Sequence, residues 1–300
     1  MMIKSLFAGI SIALKNKKMI GIYYGTNLIF GVILMIPFRF LLERVAGTSL
    51  IGNNLVAGTD MDFVFEFIIK NQNAITGIRG LILIVPIIFW LFGLFLSGGA
   101  FGTFIHRHKY EASYFWGESA KYFGRFFRLF LFSIPIFILF YSLQFLETAV
   151  QYLIYGNDPY QSVIYWGGWI KIAIGYLGLL IAYLIFDYAR IYIVMFDVRS
   201  ARKAIWHGFK FAFKYFPKTL GISFTYFILG ISFLIIYNLI ADSIFDRNWF
   251  LIAALIIIQQ IYMIGRTTLR LSLYGSQSFF YKHFNTIENE DAAPSSTPYI

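Results

Sequence analysis

Cysteine is absent from the 300-residue chain, which excludes disulfides, thiolate metal sites and cysteine nucleophiles. Charge is scarce: 13% of residues are Asp, Glu, Lys or Arg, against 59% hydrophobic and 21% aromatic. So few polar side chains cannot cover a soluble globule of this size, and the composition is that of a polytopic membrane protein. Catalytic signatures are missing as well. There is no Gly-x-Ser-x-Gly elbow, no P-loop and no dinucleotide glycine motif. His106, His108 and Glu111 lie close together, but residues two apart face different ways on a helix, and no His-Glu-x-x-His pattern joins them. Inverted pairs of half-helices broken by Gly and Pro, the mark of many secondary transporters, do not occur. No small-residue cleavage site precedes the first long apolar run, so Lys4 to Lys18 reads as part of the mature protein rather than as a signal peptide.

What is present is a series of long apolar runs. Uncharged stretches lie between Lys18 and Arg39, Arg79 and His106, Arg128 and Glu147, Lys218 and Asp242, and Arg247 and Arg266. A sixth, Ile172 to Phe196, is interrupted by Asp187 and Arg190. At about 1.5 Å per residue each is long enough to cross a hydrocarbon core of roughly 30 Å. Six spans place both termini on one side.

The net charge of +10 invites a nucleic-acid reading until the charges are sorted by side. The side holding the termini, 106–128 and 199–218 carries eighteen Lys and Arg, counting Arg266 and Arg270 toward the end of span six, and the other side carries six. By the positive-inside rule the richer side faces the cytoplasm, which accounts for the excess without nucleic acid. The expected location is a bacterial cytoplasmic membrane, with both termini inside. On the outer side, 43–76 forms one long loop with a short surface helix from Met61 to Ile69, and Tyr155 to Trp169 supplies an aromatic belt. The expected domain is 1–284. The segment 285–300, polar, acidic and proline-containing, reads as a disordered tail.

A basic amphipathic stretch runs into a span three times. Phe7-Ala-Gly9, Phe115-Trp-Gly117 and Trp206-His-Gly208 each open such a stretch. Lys4, Ser11, Lys15 and Lys18 recur at helical spacing in the first, and Glu118, Lys121, Arg125 and Arg128 in the second. Arg199, Lys203, His207, Lys210, Lys214 and Lys218 do so in the third, beside Ile205, Trp206, Phe209, Phe213 and Phe216. The fold class expected is therefore all-α: six transmembrane helices arranged as three repeated hairpins, each preceded by a cytoplasmic amphipathic interfacial helix, with approximate three-fold symmetry about the membrane normal. Arg199, Lys203, Lys210, Lys214, Lys121, Arg125, Lys15 and Lys18 are candidate contacts to the anionic inner leaflet.

Four charges fall inside spans: Asp187 and Arg190 in the fourth, Arg266 and Arg270 in the sixth. Burying each costs about 2.5–3.5 kcal/mol on insertion scales, so each needs a partner or a cavity. Asp187 lies 18 residues beyond Trp169 and Arg266 lies 17 beyond Trp249. Both sit about 26 Å from the outer interface. The expectation is an Asp187–Arg266 pair across helices, with Arg190 bonding within its own helix. That cluster is either a structural ion pair or an anion or lipid-headgroup site. Gly21 with Gly25, and Gly98 with Gly102, are small-xxx-small pairs expected to pack helices closely. Asn27, Gln144, Asn238, Gln259 and Gln260 read as interhelical hydrogen-bonding residues.

The run Asp187-Tyr-Ala-Arg190-Ile-Tyr-Ile-Val-Met-Phe-Asp197-Val-Arg-Ser-Ala-Arg-Lys-Ala204, the following Gly208-Phe-Lys-Phe, the Lys218-Thr-Leu-Gly221 entry to span five and the closing Gly275-Ser-Gln277-Ser-Phe-Phe-Tyr281 resemble a broad group of prokaryotic six-helix membrane proteins. The chain is similar there to the membrane domain fused to some glycerophosphodiester phosphodiesterases. It has no soluble phosphodiesterase domain, so the resemblance implies a membrane domain and no catalytic residue. The function expected is non-enzymatic, with no cofactor or metal: lipid interaction, membrane organisation or scaffolding of a partner. Transport of a small or amphipathic anion past Asp187, Arg190 and Arg266 is the alternative, and an intramembrane enzyme the third.

Overall fold

The computed structural model describes residues 1–46, 61–70, 72–107, 109–244 and 249–292. They form α1 (Met2–Lys15), α2 (Lys17–Ala46), α3 (Met61–Lys70), α4 (Gln72–Gly102), α5 (Ala112–Ser142), α6 (Phe145–Tyr155), α7 (Gln161–Phe196), α8 (Ala201–Lys214), α9 (Phe216–Asp242) and α10 (Trp249–Ala292), with a π-turn at Thr103–Arg107 after α4. No strand occurs among the described residues. Six helical stretches are long and apolar enough to cross a membrane: Lys17–Glu43, Arg79–Arg107, Ala112–Tyr155, Gln161–Phe196, Phe216–Asp242 and Trp249–Asn285.

Sequence chemistry sets the joints. Asn16 alone separates α1 from α2; it leaves the helical region at φ −107 and donates from Nδ2 to the Ile12 carbonyl at 2.7 Å. Tyr215 alone separates α8 from α9, where Pro217 occupies the first turn and needs no amide partner. Ser200 caps α8 by accepting from the Lys203 amide, and Thr219 Oγ1 donates to the Ala212 carbonyl at 3.0 Å, tying α9 back to α8. Gly156, at φ 68, closes α6 in a region that other residues avoid. Toward the C-terminus the helix continues beyond Asn285 to Ala292, because no helix breaker intervenes before Pro294. Of the expected tail, 293–300 lies outside the described residues, as do Thr59 and Asp60 before α3.

Three helix pairings hold one end of the bundle together: α1 on α10, the N-terminal half of α5 on α4, and α8 on α7. Each uses small residues. α1 buries Ser5, Gly9 and Ala13, and a Cβ on Gly9 would overlap Ser276 of α10. α8 buries Ala204, Gly208 and Ala212, with Gly208 against Ile185 and Ala189 of α7. On α4 the glycines are on the other partner: Gly98, Gly99 and Gly102 receive Phe115, Glu118, Ser119 and Tyr122 of α5. Gly117, aligned by sequence with Gly9 and Gly208, has open space around it; the buried Ser119, two residues on, takes that contact. Gly21 and Gly25 also face open space, so that pair packs against no helix among the described residues. Within each hairpin α2 packs on α4, α5 on α7 and α9 on α10, and the three returning helices α4, α7 and α10 touch one another.

Burial is one-sided along the spans. The buried residues concentrate near that end: Met19 to Thr26 in α2, Leu94 to Gly102 in α4, Phe115 to Ser133 in α5, Ala182 to Val194 in α7, Thr219 to Tyr226 in α9 and Thr267 to Tyr281 in α10. The far halves expose large apolar side chains, among them Leu83, Ile138, Ile170, Leu239 and Trp249. An apolar exterior of this kind is stable only against lipid.

Candidate functional site

The returning helices meet around Arg190. Burial to 5% exposure in a protein interior requires compensation of its charge. Asp187, one turn earlier on α7, forms an ion pair with it. Four rings surround the guanidinium, with centroids 4.6 Å (Phe186), 5.0 Å (Phe101), 5.2 Å (Tyr274) and 5.9 Å (Phe126) from Cζ. Their negative π faces add to the attraction of the carboxylate. The second oxygen of Asp187 accepts from Gln277 Nε2 at 3.1 Å, and Gln277 also reaches Ser223 Oγ at 3.4 Å. One ion pair thus links α7, α9 and α10 through hydrogen bonds and α4 and α5 through rings.

The expected Asp187–Arg266 pair does not form. Arg266 is exposed and has no carboxylate within 4.0 Å among the described residues. Counting from Trp169 and Trp249 assumed that α7 and α10 start level. Instead α10 presents Gln277 at the level of Asp187, and Arg266 lies eleven residues earlier, about 16 Å away along the axis. Arg270 is between the two. Its Nε donates to Tyr274 Oη at 3.2 Å, its Cζ is 6.0 Å from the Tyr23 ring, and no carboxylate pairs with it among the described residues. The interhelical role expected of Asn27 and Gln260 is met: Asn27 bonds Thr267 at 3.3 Å and Tyr24 bonds Gln260 at 2.8 Å.

Of the eight cations assigned to lipid, Lys15, Lys18, Arg199, Lys203, Lys210 and Lys214 are exposed. Lys121 and Arg125 are committed elsewhere, at 3.1 Å and 2.8 Å from Asp197 Oδ1, and the Arg125 side chain is only 12% exposed. Asp197 closes α7 in the left-handed region at φ 51 and so turns its carboxylate toward α5. The hydrogen bond from Arg125 holds its carboxyl below the usual carboxylate range; slight burial opposes this and Lys121 adds to it. A lowered carboxyl pKa contributes stability above the unfolded value near pH 4, which is lost as pH falls through the lowered value. The Asp197→Asn variant should therefore lose less thermal stability than the parent between pH 7 and pH 3. Since Asp197 is more than half exposed, the effect at neutral pH should stay within about 1 kcal/mol.

Sequence reasoning did not assign Asp197, Gln277, Tyr274, Phe101 or Tyr23. Asp197 and Gln277 lay in the stretches that carry the family resemblance, which was the available signal; the aromatic residues were lost among 35 Phe and 21 Tyr. His106 Nε2 lies 3.2 Å from the Val194 carbonyl, and His108 is outside the described residues. No group of three His, Asp or Glu side chains able to hold a metal occurs among the described residues.

Among the described residues, fold and site together define an all-helical multi-pass membrane protein with a buried ion pair where its returning helices meet. Comparison with protein-family models, curated proteins and solved structures finds no match. The functional reading rests on the geometry of this chain.

Proposed function

We propose that the protein is a non-enzymatic, lipid-interacting membrane organiser or scaffold, anchored by three interfacial helices to the anionic inner leaflet of a bacterial cytoplasmic membrane. The observation that carries this reading is the division of α1, the start of α5 and α8 into the same three faces. In α8 Ala204, Gly208 and Ala212 are buried against α7, Trp206, Phe209 and Phe213 are exposed, and Lys203, Lys210 and Lys214 form a third, exposed row. In α1 the corresponding faces are Ser5, Gly9 and Ala13; Ile3, Phe7 and Leu14; and Lys4 and Lys15. In α5 they are Phe115, Ser119 and Tyr122; Trp116, Phe123 and Phe127; and Lys121, Arg125 and Arg128, of which Lys121 and Arg125 are paired with Asp197, so that Arg128 is the cation of this row turned outward. At about 100° per residue the order around all three helices has the same hand. Such a helix can meet protein, acyl chains and headgroups at once. The cyclic pairing supports the three-hairpin repeat: each of these segments packs on the returning span of the preceding hairpin, with α1 closing the circle on α10.

The resemblance to phosphodiesterase-linked membrane domains agrees with a domain that serves the membrane rather than a reaction. The Asp187–Arg190 pair, enclosed by four rings, supports an organising role over anion passage at that point, since a conducting path needs solvated groups. Each cation near an anionic surface contributes about 1 kcal/mol. The Lys203→Gln/Lys210→Gln/Lys214→Gln variant should therefore copurify with a markedly smaller share of anionic lipid, as measured by lipid mass spectrometry. An unchanged lipid profile would reject the surface reading.

A further inference from the structure

We infer that Arg266 and Arg270 form a binding site for a phosphate-type anion in an open interior space beside the aromatic box. Gln277 fixes the direction of this face of α10, because its amide reaches Asp187 on α7 and Ser223 on α9. Arg270 and Arg266 precede it by seven and eleven residues, which sets both within about 20° of Gln277 around the helix. Gln259, eighteen residues before Gln277, falls on the same line. Polar side chains thus run down one line of α10, on the side turned toward the other helices. Gly93 of α4 supports this direction, since a Cβ there would be 3.9 Å from Arg270 Nη2. Gln277 is fully buried, yet Gln259, Arg266 and Arg270 are exposed. Along this line of α10, burial therefore ends between Gln277 and Arg270.

The charge balance of this region calls for an anion. Asp187 is used by Arg190, so Arg266 and Arg270 bring two positive charges with no carboxylate within 4.0 Å among the described residues. An unpaired cation in a span is costly, and marks a ligand or ion site when it faces a cavity. Tyr23, 4% exposed, points to the same conclusion. Its ring lies under Arg270 while its buried hydroxyl has no hydrogen-bond partner among the described residues. Two guanidinium forks and a hydroxyl donor suit the oxygens of a phosphate group, which take paired N–H bonds. The phosphate can belong to an anionic lipid headgroup or to free inorganic phosphate.

The site is distinct from the exposed lysine rows, and its failure leaves the surface reading standing. The test uses the full chain in nanodiscs of phosphatidylcholine with or without phosphatidylglycerol, read by native mass spectrometry for retained lipid and by radiolabelled inorganic phosphate for the free anion. The expected result is one saturable phosphate-type ligand whose affinity falls about tenfold or more in Arg266→Gln/Arg270→Gln. The Lys203→Gln/Lys210→Gln/Lys214→Gln variant should keep it. Retained phosphatidylglycerol identifies a lipid site, and saturable phosphate a free-anion site; either supports the inference. If the double variant does not fold, Arg270→Lys decides, because it keeps the charge and loses the fork: a several-fold loss of affinity is expected. No binding of either probe to the wild-type chain overturns the inference, as does affinity unchanged in the double variant or, where that fails to fold, in Arg270→Lys.

Discussion

Asp187→Asn is expected to destabilise the protein by about 3–5 kcal/mol, the largest effect of any single substitution at the candidate site. The variant leaves the Arg190 guanidinium charged and only 5% exposed among Phe101, Phe126, Phe186 and Tyr274. Rings alone return about 2 kcal/mol at a desolvated cation, too little to replace a carboxylate. Gln277, which donates to Asp187, meets an amide that can turn its oxygen toward only one of its two neighbours. The measurement is thermal or denaturant unfolding in detergent. A second variant separates charge from geometry: Asp187→Asn/Arg190→Met removes both charges, keeps an unbranched apolar chain in the box and should recover most of the loss. If the single variant unfolds like the parent, the ion pair does not hold the returning helices together.

Gly208→Leu is expected to separate α8 from α7 at a cost of about 1–3 kcal/mol or more. A Cβ on Gly208 would come 2.6 Å from the Ile185 carbonyl oxygen and 2.8 Å from the Ala189 amide nitrogen. These are backbone atoms inside a helix, which cannot turn aside as a side chain can. The neighbouring basic row would then lose its fixed attitude to the bundle. Gly21→Leu is the matched control, because nothing lies within 4 Å of a Cβ there, and it should change stability by no more than about 0.5 kcal/mol. Accessibility of a single cysteine at Lys203 or Lys210, in this cysteine-free chain, would report whether α8 has moved in Gly208→Leu and stayed in Gly21→Leu.

The two glycines show where sequence reasoning stops. Gly208 and Gly21 both lie at helical spacing from another small residue, Gly208 from Ala204 and Ala212, Gly21 from Gly25. Only the partner helix decides which is a contact. The same holds for Ser119 in place of Gly117: periodicity places a small residue on a face, but another helix selects the residue it touches. For the charges, periodicity gave the bond of Arg190 within its own helix, but the pairing of Asp187 with Arg266 across helices was wrong, because residue counting measures depth along one helix and says nothing of the shift between two. The assignment of Lys121 and Arg125 to lipid met a similar limit, since the left-handed turn at Asp197 brings an acid from another helix to them.

The sequence by itself determined the six apolar helices, their approximate limits, the three basic stretches fused to spans and the presence of charge within spans four and six. These follow from composition and from periods of three and four residues, which act locally through hydropathy and backbone hydrogen bonding. The tertiary structure alone decided that Gln277, and not Arg266, meets Asp187 from α10, that rings from several helices enclose the Asp187–Arg190 pair, and that neither Arg266 nor Arg270 finds a carboxylate among the described residues. Those depend on the shift and rotation of one helix against another, set by close contact between small residues that the local pattern does not encode.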